Sequence, residues 1–272
     1  MNILEEIIAN KRREIETPGY FQTLEKVIEN LPHVGTACTA CDGNPARQPV
    51  PDFIAALKAA PIGLIAEVKR KSPSAGPIRE PFDPAAIACA YEKAGARAVS
   101  CLMDSAYFGG GEEQWNTVRA ATSLPMLYKE FVIDPRQIFL AEALGASAVL
   151  LIAAALSDAE LKKYIRLTEA SGMTPLVEVH TAEEMKRAAA AGADCIGINN
   201  RNLKTFETKI ETTLNLRQLS PQGCTLISES GIRNAEDIKM LREAGISAVL
   251  VGESLLRQSD IGAAVRALMN LS

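Results

Sequence analysis

The sequence predicts an α/β fold, a (β/α)8 TIM barrel with an N-terminal helical extension. Three observations carry that expectation. The length of 272 residues suits one such barrel, a fold that runs to roughly 250 residues as one domain. From Gly63 onward, short apolar runs alternate with amphipathic helical patterns to the end of the chain. Glycines that end those helices recur at near-even intervals, as stacked βα pairs require.

In chain order, residues 3–16 and 20–30 read as helices. Residues 31–52 carry Pro, Gly, Cys and Asn without periodicity and read as a connector. Residues 1–62 are expected to form the extension and connector and residues 63–272 the catalytic barrel, one structural domain in all. The candidate strands are Leu64 to Val68, Ala98 to Leu102, Met126 to Phe131, Ala148 to Ile152, Thr174 to Val179, Cys195 to Asn199, Thr225 to Glu229 and Ala248 to Val251. They are rich in Val, Ile and Leu without strict alternation, as parallel strands covered on both faces should be. Helix starts fall at Asp83-Pro84, Asp134-Pro135 and Asn234, polar caps of which two precede Pro at the first helical position. Helix stops fall at Gly95, Gly145, Gly192 and Gly245, at intervals of 50, 47 and 53 residues, where a left-handed cap is expected. An open doubly wound sheet shares the alternation, but eight strands without a nucleotide fingerprint favour closure.

Composition narrows the function classes. Apolar residues make up 47% of the chain and charged residues 23%, enough to bury a sizeable core. The net charge of -4, with no Lys/Arg stripe, argues against nucleic acid or an anionic membrane as partner. The N-terminus has acids within its apolar stretch and lacks a basic region followed by an apolar one, so no secretory signal is expected. No run approaches the ~18 apolar residues of a membrane span, and a cytoplasmic protein is expected. Of six cysteines, Cys89, Cys101 and Cys195 lie in apolar periodic segments as small core residues. Cys38 and Cys41, with His33 nearby, resemble half a zinc site, but no second pair follows and a closed site needs four ligands. No metal is expected.

In a barrel, residues at the carboxyl ends of strands line the site. Strand one ends Glu67-Val68-Lys69, and the period of two places Glu67 and Lys69 on the face of Ile65, toward the axis. Lys129-Glu130, Glu178 with His180, Asn199-Asn200-Arg201 and Glu229-Ser230 end strands three, five, six and seven. Any one of these suits an ordinary salt bridge at the rim. The whole set, costing several kcal/mol per unpaired buried ion, is better explained by acid–base chemistry. A phosphate suits Lys71-Ser72-Pro73-Ser74, Ser230-Gly231 and Gly252-Glu253-Ser254, where glycine turns and a helix start offer backbone N–H groups. Glu253 would repel an anion unless its side chain turns away. Phe108, Phe131 and Leu151 are candidates to wall a flat aromatic group, and equally serve as plain core.

From Ile65 to Gly252 these residues resemble the indole-3-glycerol phosphate synthase family. The matching segments are Ile65 through Ser74, Tyr107-Phe108-Gly109-Gly110, Lys129 through Pro135, Leu176 through His180, Gly197 through Leu203 and Ser228 through Ile232. The helix carrying Lys11-Arg12-Arg13-Glu14 is similar to the family's extra helix ahead of the barrel. The resemblance implies conversion of 1-(2-carboxyphenylamino)-1-deoxyribulose 5-phosphate to indole-3-glycerol phosphate, carbon dioxide and water. It implies Lys129 as general acid for ring closure, Glu178 as acid or base in dehydration, and Lys69 pairing the substrate carboxylate. Glu67, Asn199 and Glu229 would orient them. Arg201 and Ser230 fall beside the substrate, and Ser72, Gly231, Gly252 and Glu253 around its phosphate. Loss of carbon dioxide restores aromaticity without a metal or pyridoxal-type sink, so no cofactor is expected. Glu130 replaces the family's usual Asp and Met103 its usual Thr. The expected partner is a phosphorylated small molecule, and the expected state a monomer or weak homo-oligomer. Two rivals are another phosphate-binding barrel, such as a phosphosugar isomerase, and a barrel that has lost catalysis; the latter predicts broken strand-end residues, which this chain lacks.

Overall fold

The strands form where apolar runs end in helix caps, and their hydrogen bonds close into a ring. A computed structural model describes residues 3–29, 50–202 and 205–270. The barrel strands are β1 (Gly63–Val68), β2 (Ala98–Leu102), β3 (Met126–Lys129), β4 (Ala148–Ile152), β5 (Thr174–Val179), β6 (Cys195–Asn199), β7 (Thr225–Glu229) and β8 (Ala248–Val251). Each pairs in parallel with its neighbours, and β8 pairs back onto β1 with Gly63 opposite Ala248. Strand three is shorter than expected. After Lys129 the chain turns, with Val132 N–H donating to the Glu130 carbonyl and Glu130 capping the Phe131 amide.

Alternation sorts the strand residues into two layers. Ile65, Ala98, Leu127, Leu150, Leu176, Ile227 and Leu250 fill the interior. Ala66, Val99, Tyr128, Leu151, Val177, Ile198 and Val249 pack outward beneath the helices. The predicted helix starts hold: Asp83 caps α4 (Pro84–Lys93), and Asp134 and Asn234 form capping boxes on α7 (Pro135–Ala143) and α11 (Ala235–Glu243). The four expected stop glycines all have positive φ, between 73° and 97°.

The extension contributes α1 (Ile3–Glu14), α2 (Gln22–Glu29) and α3 (Phe53–Lys58). Helix α3 went unread in the sequence, although Asp52 caps it and Phe53 and Leu57 sit one turn apart. Both apolar side chains are buried with the barrel interior. Helix α1 covers the opposite end, where Leu4 joins the same interior cluster. Its Lys11 is 1% exposed and pairs with Glu130 at 3.0 Å, Asp104 at 3.2 Å and Glu14 at 2.5 Å. Residues 33, 38 and 41, which resemble half a zinc site, lie outside the described residues. Among the described residues, no helix is long and apolar enough to cross a membrane.

Candidate active site

The carboxyl ends of the strands bring the charged residues into one chain of contacts. Lys69 Nζ lies 2.6 Å from Glu67 Oε1, Lys129 Nζ 3.5 Å from Glu67 Oε2, and Lys129 donates to Glu229 Oε2 at 2.9 Å. Glu67, Glu178 and Glu229 are all buried. Register explains the convergence: Ile152 lies opposite Glu178, Glu178 opposite Gly197, and Asn199 opposite Glu229. Gly197 is needed there, because a Cβ would fall 2.1 Å from Glu229 Oε1.

Three carboxylates face two ammonium groups, so the cluster carries surplus negative charge. Glu67 sits between both lysines. Burial would raise its proton affinity, but Lys69 and Lys129 outweigh it and hold the carboxyl down at about 2. Glu229 goes the other way: burial and the charge of Glu178 push it up to about 7 despite Lys129. Lys129 is held above its ordinary value, since Glu229, Glu67 and Glu178 overcome the burial that opposes its charge.

Lys69, Lys129 and Glu178 line one cavity of 140 Å3 with Asn199, Arg201 and Ser230. Leu4 and Ile7 of α1 roof it, and Phe108 and Phe131 form one wall, ring centroids 6.0 Å apart. Leu151 does not reach this cavity. It points outward among residues beneath the helices, and its neighbours Leu150 and Ile152 line the space instead.

A second cavity, of 360 Å3, adjoins the first through Lys69, Arg201 and Ser230, which line both. Gly231, Gly252 and Glu253, the candidate phosphate-binding residues, line it. Gly252 begins α12 (Glu253–Leu256), and a Cβ there would meet Glu67 Oε1 at 2.7 Å. The Glu253 carboxylate is held by Arg257 at 2.8 and 3.0 Å, which offsets its charge. Ser230 takes the left-handed conformation, φ 66°, a strained state that clusters at functional sites, with its carbonyl accepting from Asn200 at 3.0 Å. Lys71 and Ser72 do not line this cavity. They lie in a short ribbon, residues 71–72 against 76–77, where Lys71 Nζ donates to the Ala106 carbonyl at 2.8 Å and Ser72 Oγ is sealed from solvent. Arg233 and Arg257 line it instead; the first is visible in the sequence as a cation just after Ser230-Gly231, the second only as one turn beyond Glu253.

His180 follows Val179 at the end of β5. Its Nε2 lies 3.3 Å from Glu178 Oε1 and its Nδ1 3.3 Å from Glu184 Oε2.

Together these features define a (β/α)8-barrel enzyme with a buried lysine–glutamate cluster at the strand ends and an adjoining cavity lined by Lys69, Arg201, Arg233 and Arg257. The chain belongs to the indole-3-glycerol phosphate synthase family, whose model matches residues 4–268. It is 49% identical over 209 residues to the indole-3-glycerol phosphate synthase of Carboxydothermus hydrogenoformans, covering 76% of this chain and 79% of that one. It is 42% identical over 261 residues to that of Bordetella pertussis, covering 96% of each. Among solved structures it resembles an N-acetylmannosamine-6-phosphate 2-epimerase from Clostridium perfringens, with a TM-score of 0.61 and 17% identity over 78% of this chain and 94% of that one. That likeness concerns the fold alone.

Proposed function

We propose that the chain closes the indole ring of 1-(2-carboxyphenylamino)-1-deoxyribulose 5-phosphate through Lys129 and Glu178, with the sugar phosphate seated beside Gly231, Gly252, Arg233 and Arg257. Lys129 Nζ donates a proton to the sugar carbonyl oxygen as the ring carbon bearing the carboxylate attacks the carbonyl carbon. Glu67 and Glu229 hold that ammonium charged and aimed, so it stabilises the developing alkoxide. The carbon–carboxylate bond then breaks, its electron pair restores the aromatic ring, and carbon dioxide leaves. Glu178 serves as acid or base in the elimination of water. Lys69 pairs the substrate carboxylate, Asn199 and Arg201 orient the sugar, and Phe108 and Phe131 flank the aromatic ring.

The observation that carries this reading is that Lys69, Lys129 and Glu178, far apart in sequence, line one cavity contiguous with the anion pocket. Glu229 lies beneath, bonded to Lys129. Residues 1–62 are read as an extension of the catalytic barrel of residues 63–272. The protein is proposed to be cytoplasmic, a monomer or weak homo-oligomer. Purified protein mixed with the substrate, without added metal, is expected to generate indole fluorescence. Absence of a signal at micromolar enzyme would overturn the proposal.

A further inference from the structure

The proposed reaction has a proton balance that the site must meet. Ring closure protonates the carbonyl oxygen, and dehydration protonates the departing hydroxyl while releasing one carbon-bound proton. The substrate carboxylate leaves as neutral carbon dioxide. One proton from solvent is therefore consumed in each turnover, in a cavity roofed by α1.

His180, directly after β5, lines a third, side cavity of 530 Å3 with Glu184, Thr181 and Asn200, and lies beside Glu178, which lines the first. Its Nε2 faces Glu178 Oε1 at 3.3 Å and has no aligned hydrogen-bond partner. Glu184, in the first turn of α9 (Ala182–Ala191), faces Nδ1 at 3.3 Å and accepts from the His180 amide at 2.7 Å through the same oxygen. One carboxylate thus fixes both backbone and ring. A purely structural tie between β5 and α9 needs only the Glu184 contact; it gives no reason for Nε2 to lie 3.3 Å from the Glu178 carboxylate.

We infer that His180, held by Glu184, delivers protons from the side cavity to Glu178; this rests on the role proposed for Glu178. Glu184 retains the Nδ1 proton, so the Nε2 proton is the one that moves. It passes to the Glu178 carboxylate, leaving neutral imidazole and a carboxylic acid, and the imidazole regains a proton from water. Burial opposes charge on the ring, but the Glu184 bond and the charges of Glu178, Glu184 and Glu229 outweigh it and hold the imidazole above its ordinary value. Other charged groups facing the side cavity are Glu5 of α1 and Arg201, Glu207 and Lys209 of the loop after β6, two acids balanced by two bases.

The test is the pH profile of kcat in His180→Asn and Glu184→Gln, with circular dichroism to verify folding. His180→Asn is expected to lower kcat on the order of tenfold, less than loss of a direct acid–base group, with KM little changed, a larger solvent deuterium isotope effect and partial rescue by added imidazole. Glu184→Gln is expected to move the alkaline limb of kcat to lower pH. An unchanged kcat and alkaline limb in His180→Asn, or a loss that imidazole does not restore, overturns the inference. Glu178→Gln separates the two levels: full turnover in that variant removes the underlying role, whereas an inactive Glu178→Gln beside a fully active His180→Asn removes only the relay.

Discussion

Glu229 and Glu67 are the same residue type, in one cluster, with opposite proton affinities. Glu67 touches two ammonium groups; Glu229 touches one and faces Glu178. The difference predicts a signed pH dependence. Glu229, held at about 7 in the folded state, keeps a proton that the unfolded chain has already released above its ordinary value near 4.5. Its contribution to stability therefore falls as pH rises from about 4.5 to 7, on the order of 1–3 kcal/mol. Glu130, also raised to about 7, chiefly by burial, acts in the same direction. Glu67, held at about 2, contributes stability above 4.5 that is lost as pH falls toward 2. Urea unfolding of Glu229→Gln should show a shallower decline between pH 4.5 and 7 than the parent; an equal slope would refute the assignment. For turnover, Lys129→Ala and Glu178→Gln are each expected to lose at least ~100-fold with the fold intact. Steady-state indole fluorescence alongside circular dichroism measures both, and near-normal turnover in either variant means its assigned role is mistaken.

At the scale of elements, parallel register turns isolated strand ends into a site. Residue 197 shows how tightly. β6 must carry glycine there because the neighbouring Glu229 carboxylate occupies the space of a side chain. Gly197→Ala is expected to displace Glu229 from Lys129 and cut kcat by about tenfold or more, with a stability loss of about 1–3 kcal/mol from overpacking. Wild-type kcat in Gly197→Ala would show that the Glu229 position does not matter to catalysis. Register also decides Leu151. Every residue of β4 is apolar and buried, so no polar alternation marks which face meets the cavity. Pairing of Ile152 with Glu178 and Leu150 with Leu176 sends the even-numbered residues inward. The face of Glu67 and Lys69 is legible because β1 ends in charges, which mark their own side of the strand.

Over the whole molecule, α1 is joined to the barrel by a buried ion cluster next to the Lys129–Glu229 pair. Lys11 pairs with Asp104, which caps the Tyr107 and Phe108 amides, and with Glu130, which follows Lys129. One ammonium thus connects the roof, the aromatic wall and the strand that ends in Lys129. Lys11→Met removes it and leaves two buried carboxylates without their cation, at a cost of about 3–5 kcal/mol. The expected result is a lowered thermal midpoint together with a raised KM, since Leu4 and Ile7 of α1 roof the cavity proposed to hold the substrate. A variant that loses stability but keeps KM would show that α1 only braces the barrel.

The barrel was legible in the chain because its cues are local: caps at Asp83, Asp134 and Asn234, positive-φ glycines at the helix ends, and apolar runs between them. The charged strand ends were legible too, since an ion in a buried strand stands out. Decisions that depend on pairs distant in sequence belonged to the tertiary structure. It turned Leu151 outward, took Lys71 to the Ala106 carbonyl, brought Arg257 to the cavity of Gly231 and Gly252, set His180 against Glu178 and buried Lys11 between Asp104 and Glu130. Backbone propensity and capping act over a few residues, whereas the direction of a side chain and the identity of its partner are set only when separate strands and helices pack together.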